Sequence, residues 1–101
     1  MNEQIVRRIV VITNEQGLHA RPAQLMARLA LQFESIIDLV RDNQRVDAKS
    51  ILHMLTLGAD QGTELIIEAK GPDAEEALDA LVRLVESEFE SNETMSQEKS
   101  G

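Results

Sequence analysis

Apolar and polar positions along this chain change their period several times, and each change marks an element. Residues 4–13, QIVRRIVVIT, are dense in β-branched side chains, with apolar groups at both parities from Ile9 to Ile12. That is the pattern of a strand buried on at least one face. Asn14 to Gly17 is a turn cluster, beyond which Ala23, Met26, Leu29, Ala30 and Phe33 recur at steps of three and four. The spacing predicts a helix over about 20–33, with Pro22 in its first turn, where a missing N–H costs nothing. Residues 36–41 and 45–48 are short extended segments around Asp42-Asn43-Gln44 and read as a hairpin, although no glycine marks the turn. Ser50 then precedes Ile51, Leu52, Leu55 and Leu57, a short helix that Gly58 can end. Its apolar residues surround the axis, so one sheet cannot bury them all. From Thr63 to Ala69 the chain alternates: Leu65, Ile67 and Ala69 share one face, and Glu64, Glu68 and Lys70 bracket Ile66 on the other. Gly71-Pro72-Asp73 breaks this strand and caps a final amphipathic helix whose inner stripe is Ala74, Ala77, Leu78, Leu81, Val82, Val85 and Phe89.

The resulting order, β α β β α β α with one polar strand face, implies an α+β domain: one antiparallel sheet covered by helices on a single side. Residues 1–90 suffice for one domain, and Ser91 to Gly101, which lack any apolar pattern, are expected to form a flexible tail. No apolar run approaches the roughly 18 residues that cross a bilayer, so no membrane insertion is expected. The opening residues lack the apolar core of a secretion signal, and with no cysteine there is no disulfide or thiolate site; a cytoplasmic location is the expectation.

Charge sharpens the picture once it is located. The formal net charge of −8 is concentrated late, because residues 73–90 hold seven acids against Arg83, whereas residues 1–72 hold nine acids and eight bases. With no basic stripe and only Phe33 and Phe89 as aromatics, nucleic acid is not an expected partner.

Candidate chemistry is sparse. The chain has no glycine-rich phosphate loop, no histidine pair at metal-ligand spacing and no nucleophile elbow, so neither a metal nor a cofactor is expected. What remains is Gly17-Leu18-His19-Ala20-Arg21-Pro22, which sets a histidine at the junction of turn and helix. The amides of a first helical turn, here those of Ala20 and Arg21, point toward whatever sits on that imidazole, and the helix dipole favours an anion there. A phosphoryl group acquired by the ring would be stabilised by the same dipole and by Arg21. A histidine before a helix is, taken alone, most often a surface cap; the company of Arg21 and Pro22 within one turn gives it weight.

These residues resemble HPr, the histidine-containing phosphocarrier family of the bacterial phosphoenolpyruvate-dependent sugar phosphotransferase system. The resemblance spans about residues 4–90 and rests on Gly17 to Pro22, on Ala48-Lys49-Ser50-Ile51 followed by Leu55, Leu57 and Gly58, and on Gln61-Gly62 before the last strand. It implies an open-faced β-sandwich, a four-stranded antiparallel sheet under three helices. It implies that His19 accepts a phosphoryl group from phosphoenzyme I and passes it to enzyme IIA domains, that Arg21 contacts the phosphoryl group, and that the protein is a carrier more than a free-standing enzyme. Ser50 matches the serine that, in many but not all members, HPr kinase/phosphorylase phosphorylates. Its other reading, a helix N-cap, holds whichever way that falls. Ile51, Leu52 and Leu55, with Ala20 beside the histidine, match the family's partner-docking patch. His53 matches no catalytic position and reads as a surface residue. A monomer is expected. The first helix carries Arg28 where familiar members often carry several lysines, so steering toward acidic partners is expected to be weaker. Two other readings share the fold: a regulatory binding module in which His19 is incidental, and a nitrogen-branch phosphorelay component with the same chemistry but other acceptors.

Overall fold

Seven elements follow one another in the expected order: β1 (Gln4–Val11), α1 (Ala20–Ala30), β2 (Ile36–Arg41), β3 (Gln44–Asp47), α2 (Ile51–Leu55), β4 (Glu64–Gly71) and α3 (Ala74–Glu86). They are those of a computed structural model, which describes residues 4–90; the segment 91–101, read above as a tail, lies outside the described residues, as do residues 1–3. The sheet is antiparallel throughout, in the order β1-β4-β2-β3. Strand β4 therefore lies inside the sheet, and its alternation works as a two-faced device. Leu65, Ile67 and Ala69 are buried under the helices with Ile12, Met26, Ile37, Leu39, Met54 and Leu81, while Glu64 and Lys70 point away. Helices α1 and α3 pack against each other, and α2 packs on the other flank of α1 and against β3.

The uncovered sheet face carries a row of charge. Cα pairing sets Arg7 opposite Glu68 and Glu68 opposite Asp38. Arg45 reaches across to Glu68 at 2.6 Å and Asp38 at 2.9 Å, and Arg7 meets the other Glu68 oxygen at 2.6 Å. Two guanidinium groups, Arg45 foremost and then Arg7, hold the Glu68 carboxyl below the usual carboxylate range.

Several boundaries differ from the sequence reading, each for a local reason. Strand β1 ends at Val11, but Ile12 prolongs the pairing by donating to the Thr63 carbonyl at 2.9 Å and accepting from the Gly62 amide at 2.7 Å. Helix α1 stops at Ala30, and Phe33 lies half-buried in the turns beyond it. The hairpin closes at Arg41 opposite Gln44, leaving Asp42-Asn43 as a two-residue turn; Asp42 takes φ +54°, a left-handed value that aspartate tolerates better than most. Helix α3 ends at Glu86, and Phe89 is buried as predicted but by a chain reversal, with Glu88 and Phe89 both left-handed and the Phe89 amide on the Leu84 carbonyl.

One role is corrected outright. Asp73 sits at the N-cap of α3, yet its side chain makes no cap bond. It instead accepts from the Glu34 amide at 2.9 Å, the Ser35 amide at 3.0 Å and the Ser35 hydroxyl at 2.5 Å, tying the loop before β2 to the start of α3. Gly71 makes room for this: a Cβ there would stand 2.7 Å from Ser35 Oγ.

Candidate functional site

The loop before α1 is held by its own turn and by a wall behind it. The Gly17 amide bonds the Asn14 carbonyl at 3.1 Å, and Asn14 Nδ2 donates to the Gly17 carbonyl at 2.8 Å. Gly17 has φ +72°, and a Cβ would fall 2.6 Å from the Ala59 carbonyl oxygen and 2.8 Å from Asp60 Cα, so only glycine fits. Leu18 is buried and its amide donates to that same Ala59 carbonyl at 2.8 Å. With Leu18 anchored, His19 stands exposed as the N-cap residue of α1, in extended conformation, its carbonyl accepting the Ala23 amide at 2.9 Å.

The His19 imidazole makes no cap hydrogen bond, although residues at this position commonly turn the side chain onto the first turn. His19 thus takes the N-cap position the sequence offers it through its backbone carbonyl, with no cap bond from the ring. Ala20 and Arg21 follow on the exposed surface, while Pro22 and Ala23 are buried. First-turn amides have no carbonyl one turn back to bind, and Pro22 brings no N–H, so the donors that face an anion at this end come from Ala20 and Arg21.

Helix α2 forms the neighbouring surface. Ser50 caps it, Oγ accepting the His53 amide at 3.2 Å. Its core contacts come from Met54, fully buried, and from Leu57 just past its end. Sequence reasoning passed over Met54, because in a helix apolar on all sides nothing local separates the inward residue from its neighbours. Ile51 and Leu55 are 37% and 38% exposed and Leu52 is 77% exposed, so none of the three docking candidates is among the buried core residues, and Leu52 stands furthest out. His53 is at the surface as expected, but its ring is engaged: Nδ1 accepts the Asp47 amide at 3.1 Å. Lys49, the other base of this segment, donates to the Phe33 carbonyl at 2.8 Å and fastens the start of α2 to the segment after α1.

Among the described residues no group of three or more His, Asp or Glu side chains could hold a metal ion, and no helix is long and apolar enough to cross a membrane. The arrangement is an open surface: an exposed imidazole on a helix N-terminus, beside a helix that shows solvent three large apolar side chains. A group covalently held on that ring could be reached by one large partner after another.

Comparison with known proteins gives the chain its class. Residues 6–87 match the family model described as the PTS HPr component phosphorylation site. Phosphocarrier protein HPr of Treponema pallidum is 44% identical over 86 residues, which cover 85% of this chain and 98% of that protein. Phosphocarrier protein NPr of Proteus mirabilis is 42% identical over 85 residues, 82% of this chain and 93% of that one. The crystal structure of HPr-C-His from Thermoanaerobacter tengcongensis superposes with a TM-score of 0.81 at 45% identity, covering 83% of this chain and 94% of that one. The chain belongs to the HPr family of phosphocarrier proteins.

Proposed function

We propose that His19 is the phosphoryl carrier of this protein, taking the group from phosphoenzyme I and delivering it to enzyme IIA domains in the cytoplasm, with the protein acting as a monomer. The observation that carries this reading is the exposed imidazole at the N-cap of α1, which makes no cap bond, on a helix that packs against α2 with its exposed apolar side chains. In the step, a ring nitrogen of His19 forms a bond to phosphorus as the donor's nitrogen–phosphorus bond breaks, and the donor imidazole keeps the electron pair. The dianionic group then sits against the first-turn amides and the positive end of α1, with Arg21 as its guanidinium partner. A nitrogen-linked phosphoryl group remains reactive enough to be handed on.

Ser50 is the regulatory position in this reading. A phosphate added there by HPr kinase/phosphorylase would replace a cap hydroxyl with up to two negative charges beside Ile51 and Leu52, on the surface partners dock against. Charge and bulk would both oppose docking.

Identity to an NPr protein nearly equal to that with an HPr protein supports a second reading, in which the same carrier feeds a nitrogen-branch acceptor. The deciding experiment loads the protein with enzyme I and phosphoenolpyruvate, then mixes it separately with sugar-branch and nitrogen-branch IIA domains. Rapid loss of the group to a sugar-branch domain, absent in His19→Ala, is the expected result. Transfer to the nitrogen-branch domain alone would assign the second reading, and unimpaired loading of His19→Ala would refute both.

A further inference from the structure

The segment behind the His19 loop is itself gripped from the hairpin. Arg41, the last residue of β2, sends one guanidinium nitrogen, Nη1, to two consecutive carbonyls, Leu57 at 2.7 Å and Gly58 at 2.8 Å. These groups lie just past the end of α2, where Gly58 at φ +62° turns the chain away and leaves its carbonyls without helical partners. A cation there completes the carbonyls and suits the negative end of the helix. The next residue, Ala59, is the one whose carbonyl receives the Leu18 amide and against which Gly17 is packed without room for a Cβ. The carbonyls Arg41 holds therefore belong to the two residues directly before the wall on which the His19 loop leans.

The same hairpin touches α2 at two further points. Gln44 Nε2 reaches the Thr56 carbonyl and hydroxyl at 3.3 Å, and the Asp47 amide donates to His53 Nδ1 at 3.1 Å. Of these ties Arg41 is the strongest, with two short bonds from a charged donor, and the only one that bears on residues adjoining Ala59. Resting on the reading of His19 as the carrier, we propose that Arg41 is a positioning residue for phosphoryl transfer. It fixes the Leu57–Asp60 segment so that the exposed face of α2 and the His19 ring keep one spacing, and a partner docked on α2 finds the ring in line. Misplacement of a reacting group by about 1 Å can cost a hundredfold in rate, so a loosened wall would be felt in the transfer step more than in docking.

The test compares wild type with Arg41→Met, which keeps an unbranched stem but removes both bonds, and with Arg41→Lys, which restores a donor that can reach one carbonyl. In Arg41→Met the maximal rate of phosphorylation by phosphoenzyme I should fall roughly tenfold, within the range expected of such misplacement, with KM changed by less than about twofold. Amide exchange at Leu18 should speed up by a similar factor while β4 amides keep their protection, and Arg41→Lys should recover part of both. Transfer in Arg41→Met at the wild-type maximal rate, an effect confined to KM, or unchanged Leu18 exchange would each overturn the proposal. A wild-type protein that accepts no phosphoryl group would instead refute the carrier reading, and the Leu18 exchange would still decide whether Arg41 steadies the loop.

Discussion

Leu52 shows how far a single side chain can be read. A core leucine cut to alanine loses about 2–5 kcal/mol of stability, but this one is 77% exposed and fills no cavity. Leu52→Ala should leave the thermal midpoint nearly unchanged while weakening the complex with enzyme I by about 1–2 kcal/mol, the range of an exposed anchor in an interface. Titration calorimetry beside a melting curve separates the two, and a lowered midpoint with intact affinity would move Leu52 out of the docking surface. At this scale, legibility followed locality. The cap made by Ser50 is set within four residues of sequence and was visible there. The partners of Asp73 lie 38 and 39 residues away, and those of Arg41 lie 16 and 17 away, so no window of sequence contains either arrangement.

Between elements, the Asp73–Ser35 tie carries a dependence on pH. The Ser35 hydroxyl first, and then the Glu34 amide, hold the Asp73 carboxyl below the usual aspartate range by bonding its ionised form. A carboxyl whose folded value is depressed adds stability above its unfolded value, and that stability is lost as pH falls through the lower folded value. Glu68 contributes in the same direction, so the measurement is a difference: stability against pH for wild type and for Asp73→Asn, by chemical denaturation. The variant should be less stable at neutral pH, with the gap closing as the pH drops below the ordinary aspartate range. A gap constant down to the acid limit would show that the ionised carboxylate contributes nothing. The elements themselves were legible where their periods are long, as in α1, β4 and α3. The sequence pattern blurred at their ends, because helix termination and the Phe89 reversal depend on backbone angles that side-chain hydrophobicity does not encode.

Over the whole molecule, the acidic segment and the exposed side chains of α2 lie on different helices. The helix α3 that holds Glu75, Glu76 and Asp79 packs on β1, β4 and α1, while α2 lies on the other flank of α1. If α2 is the docking surface, as proposed, an acidic partner meeting it would be spared most of the negative charge. Replacing Glu75, Glu76 and Asp79 by glutamine should change solubility and salt response yet leave the phosphorylation rate by enzyme I within about twofold, since surface charges far from an interface act weakly through screened solvent. A collapse of that rate would place docking on α3. The order of strands, with β4 between β1 and β2, came from the fold alone, because periodicity is blind to which strand neighbours which.

The central claim is that one particular imidazole carries the group, and the chain offers only two, His19 and His53. The direct measurement is to phosphorylate the protein with enzyme I and phosphoenolpyruvate, digest it under alkaline conditions that preserve nitrogen-linked phosphate, and locate the added mass by fragmentation. The account predicts a single acid-labile phosphoryl group on His19. A group on His53, or none on either ring while enzyme I is active on a known HPr, would contradict it.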